Sequence, residues 1–288
     1  MKGIIIVNGY SKTEGIKYQT RRLTEEFNKQ NVKIEVKRTS DLLAYLDNGS
    51  VKTELKADFI VYLDKDIHIA MMLEKCGFRL FNSRESIENC DDKMRTHILL
   101  SNHDISMPLT ISSPLMYQQN EDNFLDNVLN LLDYPIVVKN THGSLGGQVY
   151  LANDFSTLCK LRNQLKLEPH IYQQFIQSSC GKDTRVIVIG GEVVAGYNRI
   201  STKDFRSNIE LGGSGKSVEL PASYTSIATK VASILQLDYC GIDILDNNGE
   251  PMICEVNSNA FFTGAEKYTG VNIAKAYVDY IVKTLEKK

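Results

Sequence analysis

The chain has little of what usually announces a function class. Basic charge is not in excess: 33 lysines and arginines stand against 35 aspartates and glutamates over 288 residues, and only short pairs such as Arg21-Arg22 and Lys287-Lys288 occur. Neutralising a nucleic-acid backbone takes a basic stripe, so nucleic acid is not an expected partner. Cysteine is sparse. The six residues Cys76, Cys90, Cys159, Cys180, Cys240 and Cys254 form no CxxC pair and no Cys/His cluster of zinc-ligand spacing, and they read as reduced thiols. Long apolar runs are missing too: none approaches the length needed to cross a bilayer. The opening MKGIIIVNGY has too short an apolar run for a secretory leader and meets a polar turn rather than a cleavage site, so a cytoplasmic protein free of membrane is expected. No GxGxxG follows the first apolar run and no GxxxxGK[ST] occurs anywhere, which removes support for dinucleotide-binding and P-loop readings. Internal repeats and low-complexity linkers are absent as well.

The apolar pattern that is present alternates element types. Apolar residues 4–7, a helical pattern over 16–30, a strand-like 32–37, apolar 59–63 and a further helix over 68–76 predict βαβ order and a parallel sheet with helices on its faces. A helix over 92–103 comes next, limited by Pro108. Strands are predicted at 136–139 and 148–151, joined by a loop carrying Gly143, Gly146 and Gly147, and then at 170–176. Residues 185–189 and 193–198 flank Gly190-Gly191, a strong hairpin signal. Helical spacing returns over 223–236 and 271–286. At domain sizes of about 100 to 200 residues, the chain has room for two or three packed units.

Individual residues leave their roles open. Glu255 and Asn257 lie two apart on one strand and leave the same face. Such oxygens suit magnesium, yet two polar strand residues are also an ordinary solvated face. The glycine loop can bring backbone N–H groups against phosphate or be a plain surface turn. Lys139 can snorkel to water or place a point charge on a phosphate. Asp183 can be a turn residue, Asn208 a loop hydrogen-bonder and Arg206 a surface ion pair, while His142 sits in the loop as a solvated histidine. The ordered set Lys93, Lys139, glycine loop, Gln173 to Ile176, Asp183, Arg206, Asp243, Glu255 and Asn257 is far more specific than any member.

The runs DDKMRTHILLSNHDISMPLT, YPIVVKNTHGSLGGQV, IYQQFI, GKDTRVIVIGGEVVAGYNRIS, DFRSNIELGG, GIDIL, EVNSN and GAEKYTGVNIA carry a resemblance to the ATP-grasp superfamily. Within it the chain resembles RimK-type carboxylate–amine (α-L-glutamate) ligases over residues 91–280. The resemblance implies an α/β fold, α+β in its C-terminal part. It would comprise an N-terminal Rossmann-like pre-ATP-grasp domain over 1–90, a central subdomain with the glycine loop over 91–175, and a C-terminal subdomain over 176–288. It implies that Lys93 and Lys139 contact ATP phosphates, and that Gly143, Ser144, Gly146 and Gly147 cover them. Gln174, Phe175 and Ile176 would lie beside adenine and Asp183 near the ribose. Asp243, Glu255 and Asn257 would hold Mg²⁺, two ions with Mn²⁺ as a substitute, and Arg206 and Asn208 would face the reacting phosphoryl group. The chain departs from the family at Gln174, where a glutamate is common, and in Ser258-Asn259-Ala260-Phe261-Phe262 after EVN.

The implied reaction is amide formation through an acyl phosphate, releasing ADP and phosphate. It would add glutamate or another amino acid to a peptide, protein or small-molecule acceptor, and a homo-oligomer is allowed. Peptide crosslinking and a catalytically silent ATP-binding module are the competing readings. One geometric expectation follows for the hairpin. A regular two-residue Asn248-Gly249 turn would set Asp243 opposite Cys254, so an odd connection or a bulge is needed to align Asp243 with Glu255.

Overall fold

The computed structural model describes residues 1–116, 123–143 and 146–287. In chain order its first region holds β1 (Lys2–Val7), α1 (Glu14–Lys29), β2 (Lys33–Arg38), a hairpin of β3 (Ala44–Asp47) and β4 (Ser50–Thr53), β5 (Phe59–Leu63), α2 (Ile67–Lys75), β6 (Leu80–Phe81) and α3 (Arg84–Asp91). β2-β1-β5-β6 form a parallel sheet. β1 and β5 are buried along their length because helices cover both faces, which is why they read as continuous apolar runs rather than alternating ones. The β3–β4 hairpin and α3 are additions to the sequence reading. The hairpin strands are exposed or half-buried, so no apolar periodicity marks them.

After α4 (Lys93–Leu100) come β7 (Thr110–Ser112), α5 (Phe124–Leu129), β8 (Ile136–Asn140), β9 (Val149–Ala152), α6 (Phe155–Leu165) and β10 (His170–Gln174), with an antiparallel sheet in the order β7-β10-β8-β9. The last region holds β11 (Lys182–Ile189), β12 (Glu192–Ile200), β13 (Ser214–Ser217), α7 (Ala222–Ile234), β14 (Tyr239–Asn247), β15 (Glu250–Asn257), α8 (Phe262–Thr269) and α9 (Ile273–Glu286). Its sheet runs β13-β12-β11-β14-β15 and is antiparallel throughout.

One face of the N-terminal sheet and the C-terminal sheet share a single core. Ile5, Phe27, Phe59 and Phe81 cluster with Ile187, Tyr239, Phe262 and Tyr277. Asn82 stitches the two regions at the backbone: its Nδ2 donates to the carbonyls of Tyr239 and Ser258, both at 2.8 Å, and its Oδ1 accepts from Asp238 N at 2.7 Å and Tyr239 N at 3.0 Å. The central sheet instead closes a core of its own from Leu125, Val128, Val138, Leu158, Leu161 and Tyr172. Among the described residues no helix is long and apolar enough to cross a membrane.

Candidate active site

The β14–β15 hairpin resolves the register question. Asn247 pairs with Glu250 across the two-residue Asn248-Gly249 turn, both turn residues taking positive φ (54° and 100°), as a type I′ turn requires. Ile244 pairs with Ile253, yet Asp243 pairs with Glu255. Cys254 is therefore the extra residue of a bulge, and it restores Asp243 to the face of Glu255 and Asn257. The expected bulge is present, together with the regular turn rather than an odd connection.

Asp243 is buried at 4% exposure. Arg185, its cross-strand neighbour on β11, grips it through Nε to Oδ1 and through Nη2 to Oδ2 at 2.8 Å. Arg199 from β12 adds a contact at 2.8 Å and holds Asp183, its own cross-strand partner, at 2.7 and 2.5 Å. Burial alone would disfavour the Asp243 charge, but the two guanidinium groups outweigh it and keep the carboxyl below its usual range. Neither arginine was assigned a role from the sequence. The usable signal was strand alternation, which puts Asp183 and Arg185 on one face of β11, opposite Arg199 and Asp243.

Glu255 is less engaged: its nearest cation is Lys93 Nζ at 3.6 Å, and Lys93 also donates to the Gly143 carbonyl at 3.2 Å. The Asn257 Nδ2 is buried and has no partner among the described residues. Lys139, 7% exposed at the end of β8, donates to Gln173 Oε1 at 2.6 Å and approaches Cys254 Sγ at 3.5 Å. A buried polar chain backs it. Gln173 Nε2 donates to Thr110 Oγ1 at 2.9 Å, and Thr110 Oγ1 lies 3.3 Å from His97 Nδ1. His97 is held neutral because burial, assisted by the Lys139 charge, drives its pKa down to about 4. Burial also pushes the Cys254 thiol up, against the lowering effect of the nearby Lys139 charge.

Arg206 is clamped by Asp204 at 2.9 and 2.7 Å, and its Nη1 donates to the carbonyls of Gly146 at 2.6 Å and Val149 at 3.2 Å, tying the glycine loop to the C-terminal region. The hydrogen bonds from Arg206 hold the Asp204 carboxyl below its usual range. A Cβ on Gly146 would fall 2.7 Å from Asn208 Oδ1, and φ there is +72°, so glycine is needed for this approach. Gly147 faces open space. Gln174 is exposed, pairing with Leu109 through its backbone, while Phe175 packs edge-on against Phe205. The position Ser144 lies outside the described residues.

Two adjoining cavities collect these groups. A cleft of about 100 Å³ is lined by Lys139, Gly146, residues 173–176, Asp183, Arg206, Asn208, Asp243 and Glu255. A larger cavity of about 600 Å³ shares Arg199, Asn208, Asp243 and Glu255 with it, adds Asn257, and reaches Asn8, Asp64 and Asn259 at the N-terminal sheet. The sequence-predicted residues among those described thus converge on the cleft or the adjoining cavity except Lys93, Gly143 and Gly147, which line neither; Lys93 and Gly143 join the site through their mutual bond and the Lys93–Glu255 contact. The donor set of two carboxylates and one amide oxygen suits a hard cation, and Asn257 lines the same cavity as Asp243 and Glu255.

Residues 90–281 match the family described as RimK-like ATP-grasp domain. The chain is 36% identical over 230 residues to beta-citrylglutamate synthase B and, over the same length, to N-acetylaspartylglutamate synthase A, both of Homo sapiens; each match covers 78% of this chain and 58% of the synthase. It is 32% identical over 222 residues to a probable alpha-L-glutamate ligase of Maridesulfovibrio salexigens, covering 76% of this chain and 72% of the ligase. In fold it resembles the RimK domain ATP-grasp protein of Sphaerobacter thermophilus, with a TM-score of 0.74 at 16% identity over 98% of this chain and 100% of that one.

Proposed function

The chain belongs to the RimK-like ATP-grasp family, and from that premise we propose that it is an ATP-dependent ligase joining the amine of L-glutamate to an acid through an acyl phosphate. The observation that carries the reading is the convergence of Lys139, Arg206, Asp243 and Glu255 on one cleft that opens into a cavity large enough for two small acids. Glutamate is the moiety common to the names of these three relatives, which supports it as the amine substrate. The chain spans little more than half of the two synthases, so their acids serve only as probes.

In this reading Lys93 and Lys139 bind the nucleotide phosphates, and residues 174–176 border the adenine. Asp183 lies toward the ribose, with Arg199 orienting its carboxylate. Asp243, Glu255 and Asn257 would hold magnesium, which when bound neutralises phosphate charge. The substrate carboxylate attacks the γ-phosphate and displaces ADP, and Arg206 offsets the charge spread over the transferring group. The resulting acyl phosphate is attacked by the amine, and phosphate leaves as the amide forms. Arg206 holds the Gly146 carbonyl and so keeps the glycine loop over the reacting groups, excluding water that would hydrolyse the acyl phosphate. Arg185 and Arg199 balance Asp183 and Asp243, leaving the positive charge of Lys139 for phosphate.

The test incubates the protein with Mg·ATP, L-glutamate and either citrate or N-acetyl-L-aspartate, or with a cell extract, and follows ADP and product mass. Products heavier by one glutamyl residue, formed with equimolar ADP, support the reading. ADP release without any glutamyl product, or no ADP with any acid, overturns it. Arg206→Ala should lower kcat by about 100-fold or more with ATP binding retained, and Glu255→Gln should raise the magnesium requirement.

A further inference from the structure

The wall of the larger cavity built by the N-terminal sheet carries two acceptors that the reaction above does not use. Asp64, at the end of β5, is 7% exposed and lines the cavity. Its oxygens accept from Asn8 Nδ2 at 3.1 and 3.2 Å and from the Lys65 backbone at 2.7 Å. None of these donors is a cation, and the adjacent Lys65 ammonium is engaged by Asp91. Among the described residues Asp64 is thus a buried carboxylate without an ion-pair partner, unlike Asp183 and Asp243 in the same site, which share two arginines. Removing a carboxylate from water without a counter-charge is costly, so a cation entering from the cavity would be strongly favoured.

Asn259 supplies the second acceptor. Its Nδ2 donates at 2.8 Å to the carbonyl of Leu63, the residue before Asp64. A carbonyl can only accept, so this bond fixes which end of the amide is nitrogen. The Asn259 Oδ1 is then left buried with no partner among the described residues, and the residue lines the same cavity. A carboxylate and an orphan amide oxygen, tied to one short segment at the C-terminal end of a parallel strand, match an ammonium with its three N–H donors. Ligands of open α/β sheets bind at this end of the strands.

We infer that Asp64 and Asn259 form an ammonium-binding subsite that captures the amino group of the amine substrate, an α-amino acid, beside the reacting end of the nucleotide. The inference rests on the ligase reading above. Asn8 orients Asp64, and the Leu63 carbonyl orients Asn259.

The decisive experiment measures, by calorimetry with Mg²⁺ and a non-hydrolysable ATP analogue present, binding of L-glutamate against glutarate, the same skeleton without the amine. The wild type should prefer L-glutamate by more than tenfold. Asp64→Asn, which conserves shape, should bring that ratio near one, Asn259→Ala should lower it about threefold, and Asp64→Glu should retain a preference for glutamate. Binding of the ATP analogue by each variant reports that the site is folded. A wild type that makes glutamyl product but does not distinguish glutamate from glutarate overturns the subsite and leaves the ligase reading standing. An equal loss of affinity for both ligands in Asp64→Asn shows a purely structural role and overturns it too. No glutamyl product together with no glutamate binding removes the ligase reading, and the subsite with it.

Discussion

The N- and C-terminal sheets are joined by shared apolar packing, whereas the central sheet meets them mainly through polar contacts. Phe27, Phe59 and Phe81 from one region pack with Tyr239, Phe262 and Tyr277 from the other, while the core around Tyr172 draws on residues between 111 and 172. Contact across the cleft falls to bonds such as Lys93 N to the Thr141 carbonyl at 3.0 Å, Thr110 to His97, and Arg206 to Gly146. Apolar burial resists separation in proportion to area, but a few hydrogen bonds that water can replace contribute little net. One chain thus carries two sheets fused by a common apolar core and a third sheet with a core of its own.

Separate cores should confine the effect of a cavity to the sheets that share the damaged core. Phe27→Ala should cost roughly 3 to 5 kcal/mol and lower hydrogen-exchange protection in both β1 and β14. Leu158→Ala should cost roughly 2 to 5 kcal/mol but lower protection in β8, β9 and β10 while sparing β14; matching losses in β14 would show that the cores are not independent. His97 sharpens the contact between the halves. Its folded pKa of about 4 lies below the ordinary 6.5, so the folded state binds fewer protons than the unfolded one. Stability is complete above pH 6.5 and should fall by about 3 kcal/mol as pH drops toward 4. Urea titrations across that window should show the slope in the wild type and a flatter one in His97→Gln. The smallest expected effect is on stability in Arg206→Ala, within about 1 kcal/mol by thermal melting, because the ion pair with Asp204 is partly exposed.

Much of the architecture was legible. Buried parallel strands announced themselves as apolar runs at residues 4–7 and 59–63, and Gly190-Gly191 and Asn248-Gly249 marked hairpins through their need for positive φ. The β3–β4 hairpin escaped because its exposed Leu43 and Leu46 break the inward-facing pattern, although Asn48-Gly49 carried the turn signal. At the site, strand spacing pointed to Glu255 and Asn257. The roles of Arg185, Arg199, Gln173, His97 and Asp64 were not legible, because each depends on which strand lies beside which.

Most of the elements and the turn types follow from the sequence alone, because local backbone preference and apolar period fix them. Tertiary structure decided what those residues meet. It placed Cys254 in a bulge so that Asp243 faces Glu255, gave Asp243 two arginines and gave Asp64 none. The physical reason is that charge and hydrogen-bond partnership depend on distance in space, and in a sheet that distance is set by neighbour order and register rather than by separation along the chain.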